Sequence, residues 1–418
     1  MAKKNQLALD GGEPAVTDLP PRHLFGKAEK TAVDRLFDKA IRTGGVFGYN
    51  GPEENAYCKE FAEFMGGGYA DAVNSGSSAV YVALRALQVP AFSEVVCGPI
   101  SDPGGIMPIA LAGCIPVPAD ATPGSFNMDP KSLARRVNRR TGAIVVAHIA
   151  GIPADMGPIM KIARARGIPV IEDCAQAHGA TYRGKLVGTI GDVGAFSTMS
   201  GKHHATGAQG GIVFTKDEKT YWRARRCSDR GKPFNLDRSG RNVVAAHNMN
   251  LNDLAACIGR VQLRKLPSIV RARRKSAELL TRLCREQLKT VRIVEGPPRS
   301  RPVYWFYIAQ LDLDRLSVDK AGFVRAAAAE GVPCGLSYLP PSLFVDHEWY
   351  RKRRVFEGTD YPWGSPLYKG DPRRDYPVPN VRKTDEYTFT IAMHEKLSAR
   401  SMRQIARALK KVEAAYLT

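Results

Sequence analysis

The sequence predicts an α/β protein with a mostly parallel central sheet, helices on both faces of that sheet, and a smaller α+β region at the C-terminal end. In the first half of the chain, short apolar runs alternate with helical patterns, which is typical of strands joined by crossover helices. After Gly211 this alternation stops and longer helical stretches follow. The length of 418 residues also exceeds one ordinary domain, so we expect two.

The central sheet is predicted from short apolar runs that end in polar or small residues. The predicted strands are Ala70–Asn74, Glu94–Pro99, Ile115–Pro118, Ala143–His148, Pro169–Glu172, Val193–Ser197 and Gly211–Thr215. Helical periodicity precedes these runs or lies between them, which places helices against the sheet. The predicted helices are Lys27 to about Thr43, Ser77–Leu87, Pro130–Val137 and Met156–Arg166.

The C-terminal half is predicted to hold longer helices around a separate strand. A helical pattern from about Leu251 to Glu286 includes Pro267, which we expect to kink the helix or mark a junction. The later predicted elements are a strand at Val303–Leu311, a helix at Ser317–Glu330, a loop-rich region between Leu339 and Thr384, and a closing helix at Ser398–Leu417. We therefore predict an N-terminal arm at residues 1–28, a large domain at 29–265 and a small domain at 266–418.

The composition indicates a cytoplasmic globular protein. The chain is 44% hydrophobic and 24% charged, and it lacks an apolar run of the roughly 18 residues that a membrane span requires. The first residues carry two lysines without an apolar segment after them, so we expect no secretory signal. The eight cysteines are scattered without a CxxC pair, which favours reduced thiols over disulfides or zinc.

The formal charge of +20 leaves two interpretations open. Such a field suits nucleic acid, an anionic surface or acidic small substrates. The basic residues come in short clusters rather than one tail, and no nucleic-acid-binding motif accompanies them. We therefore favour charged, solvated helix faces over a dedicated polyanion site, and we expect no nucleic-acid partner.

The first candidate site is the segment from Asn74 to Ala79, where a strand turns into a helix. Gly76, Ser77 and Ser78 are small residues that let backbone N–H groups approach an anion, and a helix N-terminus adds a positive dipole. Serine and asparagine are also ordinary helix caps, so this segment alone is weak evidence for a phosphate site.

The second and third candidates follow the predicted strands that end near residues 172 and 197. Asp173 comes after a buried strand, and a carboxylate there requires a partner, such as a protonated ring nitrogen, or else serves as a helix cap. Gln176 lies three residues on, within reach of the same ligand. Lys202 sits in a loop of small residues, where a desolvated lysine can act as a nucleophile, although solvated loop lysines are commoner. Ser197 precedes it and is a candidate phosphate contact.

Three histidines are further candidates for contact with a substrate. His148 ends a predicted strand, His178 follows Gln176, and His203 is the neighbour of Lys202. The pair of His203 and His204 also raises the possibility of metal binding. Adjacent loop residues point in different directions and no acidic or cysteine ligands accompany them in sequence, so we expect no metal site.

Together these segments resemble the DegT/DnrJ/EryC1/StrS family of pyridoxal 5′-phosphate (PLP)-dependent sugar aminotransferases, which has the aspartate-aminotransferase (PLP-dependent transferase type I) fold. The similarity extends over nearly the full length and rests on ordered motifs. The matching segments lie at residues 9–14, 74–79, 172–179, 184–188, 191–197, 248–250 and 255–263. The N-terminal segment and the segment from Phe196 to Lys202 resemble the branch that contains cyclitol aminotransferases and aminohydroxybenzoate synthases.

The resemblance implies a role for each candidate. Lys202 corresponds to the lysine that carries PLP as a Schiff base and later moves a proton, and Asp173 to the carboxylate that keeps the pyridine nitrogen protonated. Gln176 corresponds to the residue beside the cofactor's 3-hydroxyl. The phosphate positions correspond to Gly76, Ser77, Ser78 and Ser197. Asn248 corresponds to an asparagine that reaches the phosphate of the neighbouring subunit, which implies a homodimer with shared active sites.

Three departures from the family pattern bear on the substrate. Relatives place an aromatic residue over the pyridine ring, but the segment from Gly98 to Gly105 contains none. The usual acidic residue before two glycines is replaced by Gln209, and the usual Asn-Tyr-Arg becomes Asn248-Met249-Asn250. Loops around residues 101–105 and 337–375 are expected to decide which substrate is accepted.

The expected function is transfer of an amino group from glutamate or glutamine to a keto-sugar, nucleotide-linked or free, or to a keto-cyclitol. A second hypothesis keeps the cofactor but assigns sugar dehydration or another PLP reaction. Relatives that dehydrate deoxysugars replace the lysine with histidine, so Lys202 argues against it. A third hypothesis is a non-enzymatic basic protein that binds nucleic acid or regulates, but no helix-turn-helix segment precedes the fold.

Overall fold

The computed structural model describes residues 6–237, 241–338 and 342–418. Three residues of the predicted loop-rich region, 339–341, therefore lie outside the described chain. The strands are β1 (Tyr69–Val73), β2 (Glu94–Cys97), β3 (Ile115–Pro118), β4 (Thr141–Ala147), β5 (Val170–Asp173), β6 (Thr181–Tyr182), β7 (Lys185–Leu186), β8 (Val193–Ser197), β9 (Gly211–Thr215), β10 (Val291–Ile293), β11 (Ser300–Arg301), β12 (Phe306–Leu311), β13 (Cys334–Gly335) and β14 (Thr388–Ala392). The helices are α1 (Lys27–Thr43), α2 (Pro52–Phe64), α3 (Gly76–Ala86), α4 (Pro103–Leu111), α5 (Pro130–Arg136), α6 (Met156–Arg164), α7 (Glu218–Ser228), α8 (Asp253–Gln287), α9 (Lys320–Ala329), α10 (Glu348–Arg351), α11 (Pro379–Glu386) and α12 (Ala399–Tyr416).

The central sheet has seven strands in the order β1-β9-β8-β5-β4-β2-β3. Its neighbours are parallel except around β9, which runs antiparallel to both β1 and β8. This confirms the predicted mostly parallel sheet, and all seven predicted strands are present with ends shifted by at most two residues. Because parallel strands end at one edge, Ala147 pairs with Asp173 and Asp173 with Ala195, which gathers the predicted site residues.

Two helices begin at this same edge. Ser75 caps α3 by accepting a hydrogen bond from the backbone N–H of Ser78. Asp102 caps α4 by accepting from the N–H of Gly104, and Pro103 occupies the first position, where a missing N–H costs little. The segment from Ser101 to Gly105, expected to be a loop, is therefore the start of a helix.

The long helix α8 continues through Pro267 and does not end there. Its residues before the proline, such as Leu263 and Leu266, pack into the hydrophobic core of the central sheet. Residues after it, such as Leu280 and Cys284, pack into a second core. Burial along both halves stabilises one helix that links the two cores.

The second core surrounds a four-stranded antiparallel sheet in the order β10-β12-β14-β13, covered by α8, α9 and α12. The predicted N-terminal arm supplies Leu7 and Val16 to this core. The loop-rich region contributes to both cores, since Phe344 and Trp363 pack on the central-sheet core whereas Val378 packs into the second core. The division at residue 265 remains a prediction. Within the described ranges, we find no helix that is both long and apolar enough to cross a membrane.

Candidate active site

A cavity of about 260 Å³ opens at the carboxyl edge of the central sheet, between the starts of α3 and α4 and the loop after β8. Its wall combines small, polar and titratable residues. The lining residues are Ser75, Gly76, Ser77, Val80, Ser101, Asp102, Gly104, Gly105, Ala147, His148, Ile149, Asp173, Ala175, Gln176, Ser197, Met199, Lys202 and Gln209. Seven residues predicted for the site, Gly76, Ser77, His148, Asp173, Gln176, Ser197 and Lys202, meet here.

Asp173 ends β5 and supplies a buried carboxylate to the cavity. Oδ1 accepts from the N–H of Ala175 at 3.0 Å, and Oδ2 accepts from the hydroxyl of Ser101 at 3.2 Å. Burial raises the pKa of Asp173, while these hydrogen bonds and the charge of Lys202 oppose the rise. A buried carboxylate of this kind stays ionised most readily when a cationic group faces it.

Lys202 is only 5% exposed and lies on the loop that follows β8. Burial lowers the pKa of its amine, and the carboxylates of Asp173 and Asp102 act in the opposite direction. A desolvated lysine with a lowered pKa releases its proton more easily and becomes a better nucleophile toward a carbonyl. Asp173 and Lys202 thus place a carboxylate and a nucleophilic amine in one small cavity.

The rim formed by the start of α3 and the end of β8 suits a phosphate. Gly76 touches Ser197 so closely that a Cβ atom on Gly76 would lie 2.6 Å from the Cβ of Ser197. The glycine is therefore needed for close packing, and it leaves the helix N-terminus, with its positive dipole, open to the cavity. Ser77 and Ser197 place hydroxyl-bearing side chains in the same rim.

Gln176 and His148 form the wall at the ends of β4 and β5. The side-chain amide of Gln176 accepts from the N–H of Ala150 at 2.6 Å and donates to the hydroxyl of Tyr338 at 2.6 Å. Nδ1 of His148 accepts from the N–H of Ala154 at 3.0 Å, so the ring proton lies on Nε2 and faces Glu172 at 3.1 Å. Both side chains are thus held in fixed orientations.

His148 and Glu172 also lie near Cys174, and potential metal-ligating atoms of the three residues come within 4.8 Å of one another. The imidazole and the carboxylate already bind each other, and Oε1 of Glu172 accepts two backbone N–H groups at 2.7 Å. Burial raises the pKa of the Cys174 thiol well above its usual value, which keeps it protonated. These bonds account for the cluster as packing of the core.

The wall contributed by α4 is made of backbone. A Cβ atom on Gly104 would lie 2.1 Å from the hydroxyl oxygen of Ser77, so α3 and α4 meet without room for a side chain. Apart from the imidazole of His148, the described lining includes no aromatic ring. The stacking aromatic of the family is therefore not replaced from another described segment of the wall. Gln209 lines the cavity, so a neutral side chain lies where the family resemblance leads us to expect an acidic one.

Four predicted site residues lie outside the cavity wall. The Ser78 hydroxyl donates to the side chain of Asn74 at 2.6 Å, and the exposed Asn248 accepts from the side-chain amide of Asn250 at 2.6 Å. His178 and His203 are fully buried behind the lysine loop, and burial lowers the pKa of both well below the usual range. Their positions do not support the expected contact with a substrate, because neither ring reaches the cavity.

Sequence reasoning missed several residues around the cavity. Ser101 and Asp102 come shortly after the end of β2. The rule that functional groups gather at strand ends would have identified both residues, had it been applied there. Trp305 and Arg22 contact the lysine loop from distant parts of the chain. The indole N–H of Trp305 donates to the carbonyl of Gly201 at 2.9 Å, and Arg22 donates to the carbonyl of Lys202 at 2.5 Å. No local pattern marks such contacts in the sequence.

Comparison with known proteins gives a consistent result. A model of the DegT/DnrJ/EryC1/StrS aminotransferase family matches residues 29–370. The 3-amino-5-hydroxybenzoate synthase of Amycolatopsis mediterranei is 33% identical, over 64% of this chain and 68% of that protein. The L-glutamine:2-deoxy-scyllo-inosose aminotransferase of Streptomyces lividus is 29% identical over 97% of each chain. The crystal structure of an aminotransferase from Psychrobacter cryohalolentis superposes with a TM-score of 0.81 at 28% identity, covering 95% of this chain and 99% of that one.

Proposed function

Because this chain belongs to the DegT/DnrJ/EryC1/StrS aminotransferase family and is a PLP-dependent aminotransferase, we propose that it transfers an amino group from glutamine or glutamate to a keto-cyclitol or an unlinked keto-sugar. Membership confirms the family resemblance, the fold class, the enzyme class and the cofactor expected from the sequence. The roles of individual residues and the identity of the acceptor are part of the proposal.

The residues of the cavity fit PLP. A volume of about 260 Å³ lies below the roughly 300–1,000 Å³ of pockets for drug-sized ligands, which suits a cofactor with one ring. The carboxylate of Asp173 would hold the ring nitrogen, the rim of Gly76, Ser77 and Ser197 would hold the phosphate, and Gln176 would lie beside the ring. PLP supplies an electron sink for the carbon that bears the reacting amine.

Lys202 and Asp173 carry the chemistry that the chain itself provides. The amine of Lys202, with its pKa lowered by burial, would hold the cofactor and, once free, would move the proton at the reacting carbon. The carboxylate of Asp173 would keep a proton on the ring nitrogen of the bound cofactor. His148 stays fixed by Glu172 and Ala154, so it shapes the wall rather than moving a proton.

The observation that supports an uncharged acceptor is that the cavity wall offers no exposed lysine or arginine among the described residues. Across the described part of the chain, Lys202 is the one lysine or arginine that lines the cavity, and it is buried. The exposed lining residues are Ser77, Asp102 and Gln209, of which one is acidic and two are neutral. Recognition of a diphosphate usually relies on arginine or lysine. A neutral polyhydroxylated ketone, as in the name of the S. lividus relative, suits this wall better.

A donor and acceptor screen tests the proposal. Purified protein is incubated with glutamine or glutamate and either 2-deoxy-scyllo-inosose or a nucleotide-linked 4-keto-sugar, and products are identified by mass spectrometry. We expect an amino product from the keto-cyclitol, and none with Lys202→Ala. An amino product from the nucleotide-linked sugar alone would overturn the proposed acceptor. Absence of any amino product with bound cofactor present would overturn the proposed function.

We also propose that the protein is a homodimer. The only buried residue of α1 is Glu29, whereas Phe37, Ile41 and Val46 on the helix and the turn after it are 45%, 78% and 92% exposed. An apolar surface of this kind is typical of a protein–protein contact. The exposed position of Asn248 supports a role in the neighbouring subunit. Gel filtration with light scattering tests the dimer, and a monomer would overturn it.

The cysteines support a cytoplasmic location. All eight are free thiols, and six of them are buried. Free thiols persist in a reducing compartment, whereas secreted proteins usually pair them. Cell fractionation with an antibody against the protein tests this, and recovery outside the cytoplasmic fraction would overturn it.

A further inference from the structure

The amine of Lys202 lies on the face of an aromatic ring. Its Nζ is 3.8 Å from the centroid of the Trp305 ring. The indole N–H of the same tryptophan donates to the carbonyl of Gly201, the residue before the lysine, at 2.9 Å. One side chain therefore contacts both the reactive amine and the loop that bears it.

Trp305 is itself tied to the opposite wall of the cavity. Its backbone N–H donates to the carbonyl of Ala150 at 2.8 Å. The N–H of Ala150 in turn donates to the side-chain oxygen of Gln176. The ring of Trp305 also packs against Phe306, with centroids 5.4 Å apart. Because the backbone and ring are both held, the position of the indole relative to the cavity is fixed.

The surroundings of the Lys202 amine have opposing effects on its protonation. Burial favours the neutral amine, while Asp173 and Asp102 favour the ammonium form. His178, buried behind the loop, has its pKa lowered by burial, then by His204 and then by the charge of Lys202. Arg22 binds the backbone carbonyl of Lys202 rather than its amine. The indole face adds an attraction for the ammonium form that does not involve a carboxylate, because its π-face is electron-rich.

We propose that Trp305 is a positioning residue that holds the free amine of Lys202 as an ammonium group on its indole face. The amine must leave the ring and lose its proton before it can react with a carbonyl, so the indole keeps the idle lysine protonated and away from Asp173. This inference rests on the proposed role of Lys202 as the lysine that binds the cofactor. It concerns a state in which that lysine is free.

The test measures the protonation of Lys202 directly. The full-length protein is freed of cofactor by dialysis against L-cysteine and labelled with trace acetic anhydride at a series of pH values. Mass spectrometry of the peptide that contains Lys202 gives the labelling rate at each pH. Since only the neutral amine reacts, the midpoint of the profile reports its protonation and the plateau at high pH reports its accessibility.

Three variants separate the ring from the hydrogen bond. Trp305→Leu removes both, and we expect the midpoint to move to lower pH, with labelling about tenfold faster at a fixed pH below it. Trp305→Phe keeps an aromatic face without the N–H donor, so its midpoint should stay near that of the wild type. Trp222→Leu, at a partly buried tryptophan whose indole binds Glu218, is the matched control and should leave the profile unchanged.

Two outcomes would overturn the inference. An unchanged midpoint in Trp305→Leu, whatever its plateau, means that the ring does not hold the ammonium form. Equal movement of the midpoint in Trp305→Leu and Trp305→Phe means that the hydrogen bond to Gly201 is responsible instead. The labelling requires neither donor nor acceptor, so a failed search for transamination does not affect this result.

Discussion

A Cβ atom on Gly105 would lie 2.6 Å from Oδ2 of Asp173. It would also lie 2.5 Å from the hydroxyl oxygen of Ser101, which donates to that same Oδ2. The start of α4 thus lies against the carboxylate without an intervening side chain. Glycine at this position lets Ser101 and Asp173 bond each other while both face the cavity.

We expect Gly105→Ala to weaken cofactor binding by about tenfold or more, because an added methyl group must displace Asp173, Ser101 or the start of α4, and overpacking costs about 1–3 kcal/mol. Titration of the cofactor-free protein with PLP, followed by visible absorbance, measures the change.

A matched glycine controls for a general effect on folding. At Gly26, before α1, the nearest atom to an added Cβ is 4.0 Å away, so Gly26→Ala should bind the cofactor as the wild type does. If Gly105→Ala and Gly26→Ala bind PLP with equal affinity, α4 does not position Asp173.

Arg22 is expected to restrain the lysine loop. Its guanidinium donates to the carbonyls of Gly201 and Lys202 at 3.1 and 2.5 Å, and it pairs with Glu395 at 3.1 Å. In Arg22→Ala the carbonyl of Lys202 loses this donor, and the carbonyl of Gly201 keeps only the indole N–H of Trp305. Hydrogen–deuterium exchange in residues 199–205 should therefore become about tenfold faster, as expected for loss of a charge-assisted hydrogen bond.

Mass spectrometry of peptic peptides measures this exchange. Arg22→Lys keeps the charge but not the forked donors and should give an intermediate rate. Arg42→Ala, at an exposed arginine in the last turn of α1, is the control. Slow exchange in all three variants would mean that the loop is held without Arg22.

Local rules predicted the residues that lie at strand ends. Asp173, Ser197 and the Gly76-Ser77 pair each come directly after or at the end of an apolar run, and parallel strands bring such ends together. His178 and His203 lie outside the cavity wall, because closeness to Gln176 or Lys202 in sequence does not determine where a side chain points. Both rings turned into the core instead.

Contacts across large sequence separations were not predictable. Trp305 and Arg22 reach the lysine loop from 104 and 180 residues away. Such contacts depend on how the two hydrophobic cores are placed, and no periodicity or spacing encodes that placement. The helix that starts at Pro103 is a different case, because a local signal for it exists: Asp-Pro is a recognisable helix start. The two glycines that follow obscured this signal, since glycine is unfavourable in helices.

Glu54 gives a prediction about pH. Burial, with the nearby charges of Asp71 and Asp253, raises the pKa of Glu54 to about 7. The hydrogen bond from the N–H of Asn50 and the charge of Arg225 oppose this rise. The carboxyl is 1% exposed, and Oε1 has no hydrogen-bond partner. A folded-state pKa above the unfolded value means that this group stabilises the fold at low pH and that the contribution is lost as pH rises through 7.

Glu54→Gln removes the ionisable group. The free energy of unfolding of the variant should therefore rise by about 2 kcal/mol relative to that of the wild type as the pH goes from 5 to 8. Thermal unfolding midpoints of both proteins at each pH measure the trend. Glu348→Gln is the control, because a hydrogen bond and charge from Lys352 lower the pKa of the exposed Glu348. Its unfolding midpoint should differ from that of the wild type by the same amount at every pH in this range. A constant difference between wild type and Glu54→Gln would contradict the prediction.

The proposed role of Asn248 predicts that two variants, each inactive as a homodimer, regain activity when they are combined in one mixed dimer. Lys202→Ala and Asn248→Ala are co-expressed with different tags, and the mixed dimer is isolated by two affinity steps. If Asn248 acts in the neighbouring subunit, one cavity of the mixed dimer combines an intact Lys202 with an intact Asn248. Amino-product formation should then reach about half of the wild-type rate, since one of two symmetric sites is complete.

The double variant Lys202→Ala/Asn248→Ala, paired with Asn248→Ala, is the control and should remain inactive because neither cavity is complete. Activity in the first pair but not in the control requires Asn248 to cross the interface. If the first pair stays inactive although the mixed dimer is pure, Asn248 acts on its own chain. That result would require a rearrangement of residues 248–250, since Asn248 is exposed and lies outside the cavity wall of its own subunit.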